Sequence, residues 1–377
     1  MRVLMYSYYL PPHYSGAALQ AISLARKLRD RGASVSFLTV NHGGAPEKES
    51  VDGFEFHRVS QGKGPLGEAR LWKNMYACAS AGSFEILHSH GAYLKNSFFG
   101  PLSRVLGKKS ILKVSLADDD LHGLGQGRSG WLHRRFVSMA HRYVSISREI
   151  TGEMRSYGLP GEKIAEIPNG VDTGRFHPAP DEMEKKALRA GAGLPAEGRM
   201  MLYVGGISSR KNVRWLVESW KDASRRCPGF LVVVGPVARE DTEKRLYDSL
   251  KAEEAGLGGR FFMRGFTGNI EEFYRMADVF VLPSRNEGMP NAVLEAMSSG
   301  LACVANRVSG AGELIDSSTG VLIDVESRGA LEEALTALDG PRAAALGAAA
   351  RQRILREYSL ETVADRYMKL YSEMLGR

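Results

Sequence analysis

One pattern constrains this chain more than any other. Short apolar or aromatic runs end in loops of glycine, proline and small polar residues, and stretches of helical apolar spacing follow them. Val3–Tyr9 is the first run. It leads through Pro11-Pro12 into Ala17–Arg31, where Ala18, Ala21, Ile22, Ala25 and Leu28 share a helix face and Gly32 stops the helix. Ser34–Val40, Phe54–Val59, Ile86–Ser89, Ser110–Ser115 and Arg142–Ile146 read as further strands. Strands separated by helices predict a parallel sheet covered on both faces.

The pattern restarts at Met200–Val204. The strands expected after it are Phe230–Gly235, Arg260–Met263, Val279–Pro283 and Ala302–Asn306. The helices are Asn212–Ala223, Arg239–Ala255, Ile270–Met276 and Pro290–Ser299. No fixed-period repeat accompanies the restart, which excludes a solenoid. At roughly 100–200 residues per domain, 377 residues fit this organisation. We expect a first α/β domain over 1–170, a linker over 171–195 rich in Pro and Gly with a helical middle, and a second domain over 196–356. Residues 357–377 form a terminal helix with no strand after it, expected to return to the first domain. Two doubly wound domains in tandem put ligands at the carboxyl ends of their strands, in a cleft between the two.

Composition narrows the function. Lys and Arg number 50 against 43 Asp and Glu, a net charge of +7. The excess is confined to residues 1–180, with 23 basic against 15 acidic residues; the remainder has 27 against 28. A basic half beside a neutral one points to an anionic partner of the first half. The basic residues are scattered and form no nucleic-acid-binding module, so no nucleic acid is expected. Cys78, Cys227 and Cys303 form no CxxC pair, which fits a reducing cytoplasm and argues against metal ligation. The start MRVLMYSYYLPP is short and tyrosine-rich and reads as a buried strand rather than a secretory signal. No run approaches the roughly 18 apolar residues of a membrane span.

Chemistry is expected in the loops that follow strands. Pro11–Gly16 opens a helix, and Gly16 is either a plain tight turn or part of an anion site. It is no GxGxxG, so a dinucleotide fingerprint is absent. The segment Ser284-Arg285-Asn286-Glu287-Gly288-Met289-Pro290-Asn291-Ala292-Val293-Leu294-Glu295 says more. Glu287 falls in the loop, Pro290 suits a first helical turn, and Glu295 shares a helix face with Asn291. Two carboxylates then flank backbone amides able to hold a phosphate, as sugar hydroxyls around an anion would require.

Glu287 and Glu295 with their surroundings, VLPSRNEGMPNAVLEAMSSGLACVA, resemble the E-x7-E motif of the retaining glycosyltransferases of family 4, which have the GT-B fold. Ile167-Pro168-Asn169-Gly170-Val171-Asp172 resembles that family's interdomain stretch, and Tyr203–Asn212 its loop after the first strand of the second domain. The resemblance implies two tandem Rossmann-like doubly wound domains with the active site in the interdomain cleft. It implies that Glu295 accepts hydrogen bonds from ribose hydroxyls and that Glu287 contacts the transferred sugar. The amides of Gly288, Met289 and Asn291, with Lys211, would hold the diphosphate, and Phe266 would flank the base. His88 and His90 match an HxH after a strand, and His90 is the expected donor or acceptor contact.

Three positions depart from the family pattern. Gly206 stands where an arginine is usual, so Arg210 either supplies the second charge or points to solvent. A loop that carries His in relatives reads Leu116-Ala117-Asp118-Asp119-Asp120, where Asp118 or Asp119 would be the polar contact; the usual Gly-Gly of the first loop reads Ser15-Gly16. The resemblance implies a cytoplasmic, metal-independent hexosyltransferase that moves a sugar from a nucleotide sugar to a glycan or lipid-linked acceptor in bacterial polysaccharide biosynthesis. The alternatives are a nucleotide-sugar epimerase or phosphorylase on the same fold, or a non-catalytic sugar-nucleotide-binding protein. Mixed aromatic and basic residues over 95–155 read either as two core-facing helices with solvated basic edges or as a peripheral contact with an anionic membrane. The glycine-rich His122–Gly130 loop is expected to close over the acceptor.

Overall fold

The computed structural model describes residues 1–377 except 14, 44, 63, 117–119, 122–129 and 238–240, and only the backbone at 309. Asp118, Asp119 and all of the His122–Gly130 loop but Gly130 therefore lie outside the described residues. Two compact units emerge: residues 1–170 with 360–377, and residues 171–359.

The first unit is built on β1 (Arg2–Ser7), β2 (Ser34–Val40), β3 (Lys48–Val51), β4 (Phe54–Val59), β5 (Ile86–His90), β6 (Lys109–Val114), β7 (Arg142–Ser145) and β8 (Ile164–Glu166). Their order is β3-β4-β2-β1-β5-β6-β7-β8. Every pairing is parallel except β3 with β4, an antiparallel edge hairpin that the strand–helix alternation does not predict. β5 is buried along its whole length and β1 from Val3 onward, as a sheet covered on both faces requires. The helix Gly16–Asp30 starts where the Ser15 hydroxyl accepts from the Ala18 amide at 3.1 Å. It buries Ala18, Ala21, Leu24, Ala25 and Leu28.

The terminal helix Leu360–Leu375 packs beside that helix in the same core, burying Val363, Ala364, Tyr367 and Tyr371. Arg31 secures it from outside through Asp365 at 2.6 Å. Inside, the Tyr371 hydroxyl lies 2.7 Å from Nδ1 of His88 in the middle of β5.

The second unit carries β9 (Met200–Val204), β10 (Phe230–Val234), β11 (Phe261–Arg264), β12 (Val279–Leu282), β13 (Ala302–Asn306) and β14 (Gly320–Ile323), all parallel, in the order β11-β10-β9-β12-β13-β14. Trp220, Tyr203, Tyr274, Phe261 and Phe280 fill its core. The 171–195 segment is part of this unit rather than a free linker. Its helix Glu182–Gly191 holds Arg189, 3% exposed, whose guanidinium donates to the Met276 carbonyl at 2.8 Å and to Asp278 at 2.8 Å. Asp278 in turn accepts from the Met200 amide at 2.7 Å, so one carboxylate ties this helix to β9.

Burial and the nearby Lys113 push the His88 ring down to about 3, so it is neutral and relies on the Tyr371 hydroxyl as partner. Tyr371→Phe removes that partner without a change in shape. It should cost about 1–3 kcal/mol, the penalty for an orphaned buried polar group, and a urea titration should show a lower midpoint for the first unit.

Candidate active site

In the second sheet β9 lies between strands added on opposite sides, so the strand order reverses between β9 and β12. Open α/β sheets bind ligands at the carboxyl end of such a reversal. The loops that leave β9 and β12 carry the cluster that the sequence singled out. The Lys211 ammonium donates to Glu287 Oε1, and Arg210 lies 3.7 Å from the other carboxylate oxygen. Arg210 also donates to the Asn286 carbonyl at 2.7 Å, and its own carbonyl accepts from the Arg285 amide at 3.0 Å. Two cations and one carboxylate are thus held by a seam between two loops. The Glu287 side chain is 9% exposed and that of Lys211 19%, so both ions are largely withdrawn from water.

The support of each loop is visible. Glu243, at the start of the helix Asp241–Gly256, accepts from the Ser209 amide with both oxygens at 3.1 and 3.0 Å, which fixes the turn before Arg210. The Tyr203 hydroxyl donates to the Gly206 carbonyl at 3.0 Å. Around Gly206 itself, a Cβ would meet nothing nearer than the Pro236 carbonyl at 4.0 Å. The space that a side chain would take there is open, and Arg210 is the second cation beside Glu287, after Lys211.

On the other loop, Gly310 donates to the Gly288 carbonyl at 3.0 Å. A Cβ on Gly310 would fall 2.4 Å from that oxygen and 2.6 Å from Cα of Met289. Glycine lets this neighbouring segment press directly against the 288–289 backbone. The helix Asn291–Ser298 begins immediately after it, so Gly288, Met289 and Asn291 stand at the positive end of its dipole.

Glu295 lies a turn further along. It accepts from the Tyr274 hydroxyl at 2.7 Å. Burial pushes its carboxyl up to about 7, opposed by the Tyr274 hydrogen bond and by Arg175 and assisted by Glu271. Arg175 itself bonds Glu271 at 2.7 Å. The two carboxylates of the motif therefore occupy different environments, one in an ion cluster and the other poised near neutrality. Phe266 is 67% exposed after β11, which excludes a role as a core residue.

The first unit presents its predicted residues separately. Gly16 is the first residue of a helix whose cap is Ser15. His90 is the last residue of β5, 3% exposed, with its ring stacked on His88 at 4.4 Å and, among the described residues, neither ring nitrogen hydrogen-bonded. Burial, then His88 and Lys113, push its ring well below the usual range, so it is neutral. Asp120 is buried, accepts from the Ser115 amide at 2.7 Å and is pushed up to about 6 by burial. Sequence reasoning missed Lys113, Tyr274 and Glu243. Lys113 is buried on β6, donates to Asn169 at 2.8 Å and is pushed down by burial to about 7. Gln20 clamps Gly170 through both backbone groups, at 2.8 and 3.1 Å. The Asn169-Gly170 stretch is therefore pinned to β6 and to the first helix. Among the described residues no group of three or more His, Cys, Asp or Glu side chains could hold a metal ion.

Comparison with known proteins agrees with this layout. A model of Glycosyltransferase Family 4 matches residues 14–175, and one of glycosyl transferases group 1 matches residues 198–339. The alpha-maltose-1-phosphate synthase of Mycolicibacterium smegmatis is 27% identical, over 99% of this chain and all of its own length. A GDP-mannose-dependent alpha-(1-6)-phosphatidylinositol monomannoside mannosyltransferase of the same organism is 29% identical over 75% of each chain. The crystal structure of Anabaena HepE in complex with UDP and glucose superposes with a TM-score of 0.81 at 18% identity, covering 99% of this chain and 100% of that one. The two family matches lie one on each unit, and the fold is GT-B. The chain belongs to the family-4 glycosyltransferases and is an enzyme of the hexosyltransferase type.

Proposed function

We propose that the enzyme is a retaining, metal-independent transferase that takes its sugar from a nucleoside diphosphate sugar. The observation that carries this reading is the convergence of Lys211 and Arg210 on Glu287 at the strand-order reversal. Two cations beside helix-terminal amides suit a diphosphate, and the carboxylate between them suits the hydroxyls of the attached sugar. Glu295, with Tyr274 behind it, suits the ribose. The relatives' names include a GDP-mannose-dependent enzyme and a UDP complex, which agrees with a donor of this class.

Glu287 and Glu295 come from one loop and the helix that follows it, so they do not flank a glycosidic bond from opposite faces as a glycosidase pair does. The acceptor hydroxyl then attacks on the face that the leaving group departs from. The bond from the anomeric carbon to phosphate breaks, the bond to the acceptor oxygen forms, and the hydroxyl proton passes to the departing phosphate oxygen. Lys211 and Arg210 stabilise the charge that builds on that oxygen, the task that a metal performs elsewhere. EDTA should leave turnover unchanged.

A lipid-linked acceptor would bring the enzyme to a membrane surface. No helix among the described residues is long and apolar enough to cross a membrane. Trp131 and Val105 are each 72% exposed, beside the exposed Arg104, Arg134 and Arg135, and residues 86–116 contain no acidic side chain. This suits a peripheral contact with anionic headgroups. Vesicles containing phosphatidylglycerol should sediment the protein, and Arg134→Glu with Arg135→Glu should abolish this.

The donor is tested by nucleotide release from a panel of UDP-, GDP- and ADP-sugars, with and without glycan and lipid acceptors. Lys211→Ala should lower kcat by about 10²–10³, the scale of one lost charge-stabilising donor, and Glu287→Gln should also lower it strongly. Wild-type-like turnover in both variants would place the site elsewhere.

Glu295 adds a pH dependence. Above about 7 it is a carboxylate that accepts from hydroxyls; below, it is a neutral acid. If binding requires the ionised form, affinity for a nucleotide sugar rises about tenfold from pH 6 to pH 8 by proton linkage. Calorimetry at both pH values should show this rise, and Glu295→Gln should flatten it.

A further inference from the structure

The carboxyl end of the first sheet carries an aromatic group that the donor reading does not use. Tyr8, Tyr9 and His13 follow β1, and His42 follows β2. The Tyr9 and His42 rings stack at 4.7 Å with 24° between their planes. Tyr8 stands edge-on to both, at 4.8 and 5.0 Å, and His13 edge-on to His42 at 5.4 Å. The His42 ring is fixed through Nε2, 3.0 Å from the Tyr8 carbonyl. Unlike the buried core rings, Tyr9 is 41% exposed.

A polar rim adjoins these rings. The Lys95 ammonium lies 4.6 Å from the centre of the Tyr8 ring and 3.5 Å from Glu68. It also donates to the Tyr8 hydroxyl at 3.3 Å, which donates to Gln61 at 3.2 Å. The Gln61 amide closes the circuit onto Glu68 at 3.3 Å. The segments that follow β1, β2, β4 and β5, with Glu68 and Lys95 in the helices Gly64–Ala81 and Leu94–Ser97, thus meet at one end of one sheet, where open α/β folds bind ligands.

These features select a class of ligand. The face of an aromatic ring is electron-rich, and one face of a pyranose presents polarised C–H bonds, so the two stack. The hydroxyls around the sugar's edge need donors and acceptors together, and Gln61, Glu68 and Lys95 supply both. The charge of Lys95 is balanced by Glu68, so the rim suits an uncharged sugar better than a phosphate. A ring held in place by its neighbours also has little rotamer freedom left to lose on binding.

We infer that the Tyr9–His42 stack is a subsite for a neutral pyranose of the acceptor. This rests on the transferase reading for its biological role, but binding can be measured without a donor. The test is saturation-transfer NMR on the full chain with the methyl α-pyranosides of glucose, mannose and galactose. Saturation should reach the axial ring protons of at least one of them, fall at least threefold in Tyr9→Ala, and return in Tyr9→Phe and Tyr9→Trp. With a productive donor and acceptor, Tyr9→Ala should raise the acceptor KM about tenfold, equivalent to one lost stacking contact. It should leave kcat and acceptor-free nucleotide release within twofold. No saturation of any pyranoside by the wild type, or a signal that Tyr9→Ala leaves intact, overturns the subsite even where transfer is observed. Equal loss in Tyr9→Phe and Tyr9→Ala overturns it as well, because the hydroxyl and not the ring face would then be responsible. Absence of nucleotide release from every donor sinks the transferase reading instead and leaves the pyranoside result to be read separately.

Discussion

The second unit depends on one topological constraint, the reversal of strand order between β9 and β12. Parallel strands need crossovers, and crossovers that run in opposite directions from neighbouring strands leave their loops facing each other over the sheet edge. Lys211 on one loop and Glu287 on the other meet there. Such an ion pair is weak evidence of stability, because the desolvation of both ions offsets most of their attraction. Its value lies in what each ion can do separately. In the proposed arrangement a diphosphate would take the cations and a sugar the carboxylate, so a ligand that carries both groups would replace one set of charge contacts with two.

Rigid support makes that exchange specific. Glu243 holds the first loop by two backbone hydrogen bonds, and Gly310 braces the second by direct backbone contact. Neither residue is placed to touch a ligand in the arrangement proposed, yet each fixes a group that is. A side chain at position 310 would push the 288–289 backbone away from the helix terminus that follows it, and the amides of that terminus act only where they are aligned.

The sequence made much of this legible. Most strands of both units are apolar runs bounded by turn residues; of the strands missed, β14 carries this signature, whereas β3 and β8 lack it. β8 has three residues, and β3 is a polar edge strand whose partner comes from a hairpin rather than a crossover. At the site, Glu287 and Glu295 were readable from their places in a loop after a strand and on the helix that follows it, whereas Lys211 came from the family resemblance of Tyr203–Asn212. Tyr274 was not, because it lies at apolar spacing in Ile270–Met276 and only the fold turns its hydroxyl to Glu295. Glu243 reads as an ordinary helix-start acid until its two amide contacts appear. His88 and His90 were expected after a strand but lie within β5, and nothing local predicted that the two rings would stack inside the sheet.

Net charge behaves differently from motif. The first 180 residues hold the basic excess, yet part of it is structural: Arg58 and Lys113 are only 5% and 4% exposed and have partners inside the fold. The last 197 residues are nearly neutral overall, yet they contain the paired cations Arg210 and Lys211. The reason is screening. At physiological ionic strength a charge further than about 8 Å contributes little through solvent. In the proposed arrangement a phosphate would therefore respond to the two cations at the β9 loop and the helix terminus beyond Met289, and not to the sum over a domain. A domain's net charge bears on the broad surfaces it meets; the small anion it holds is decided by a few residues on two loops.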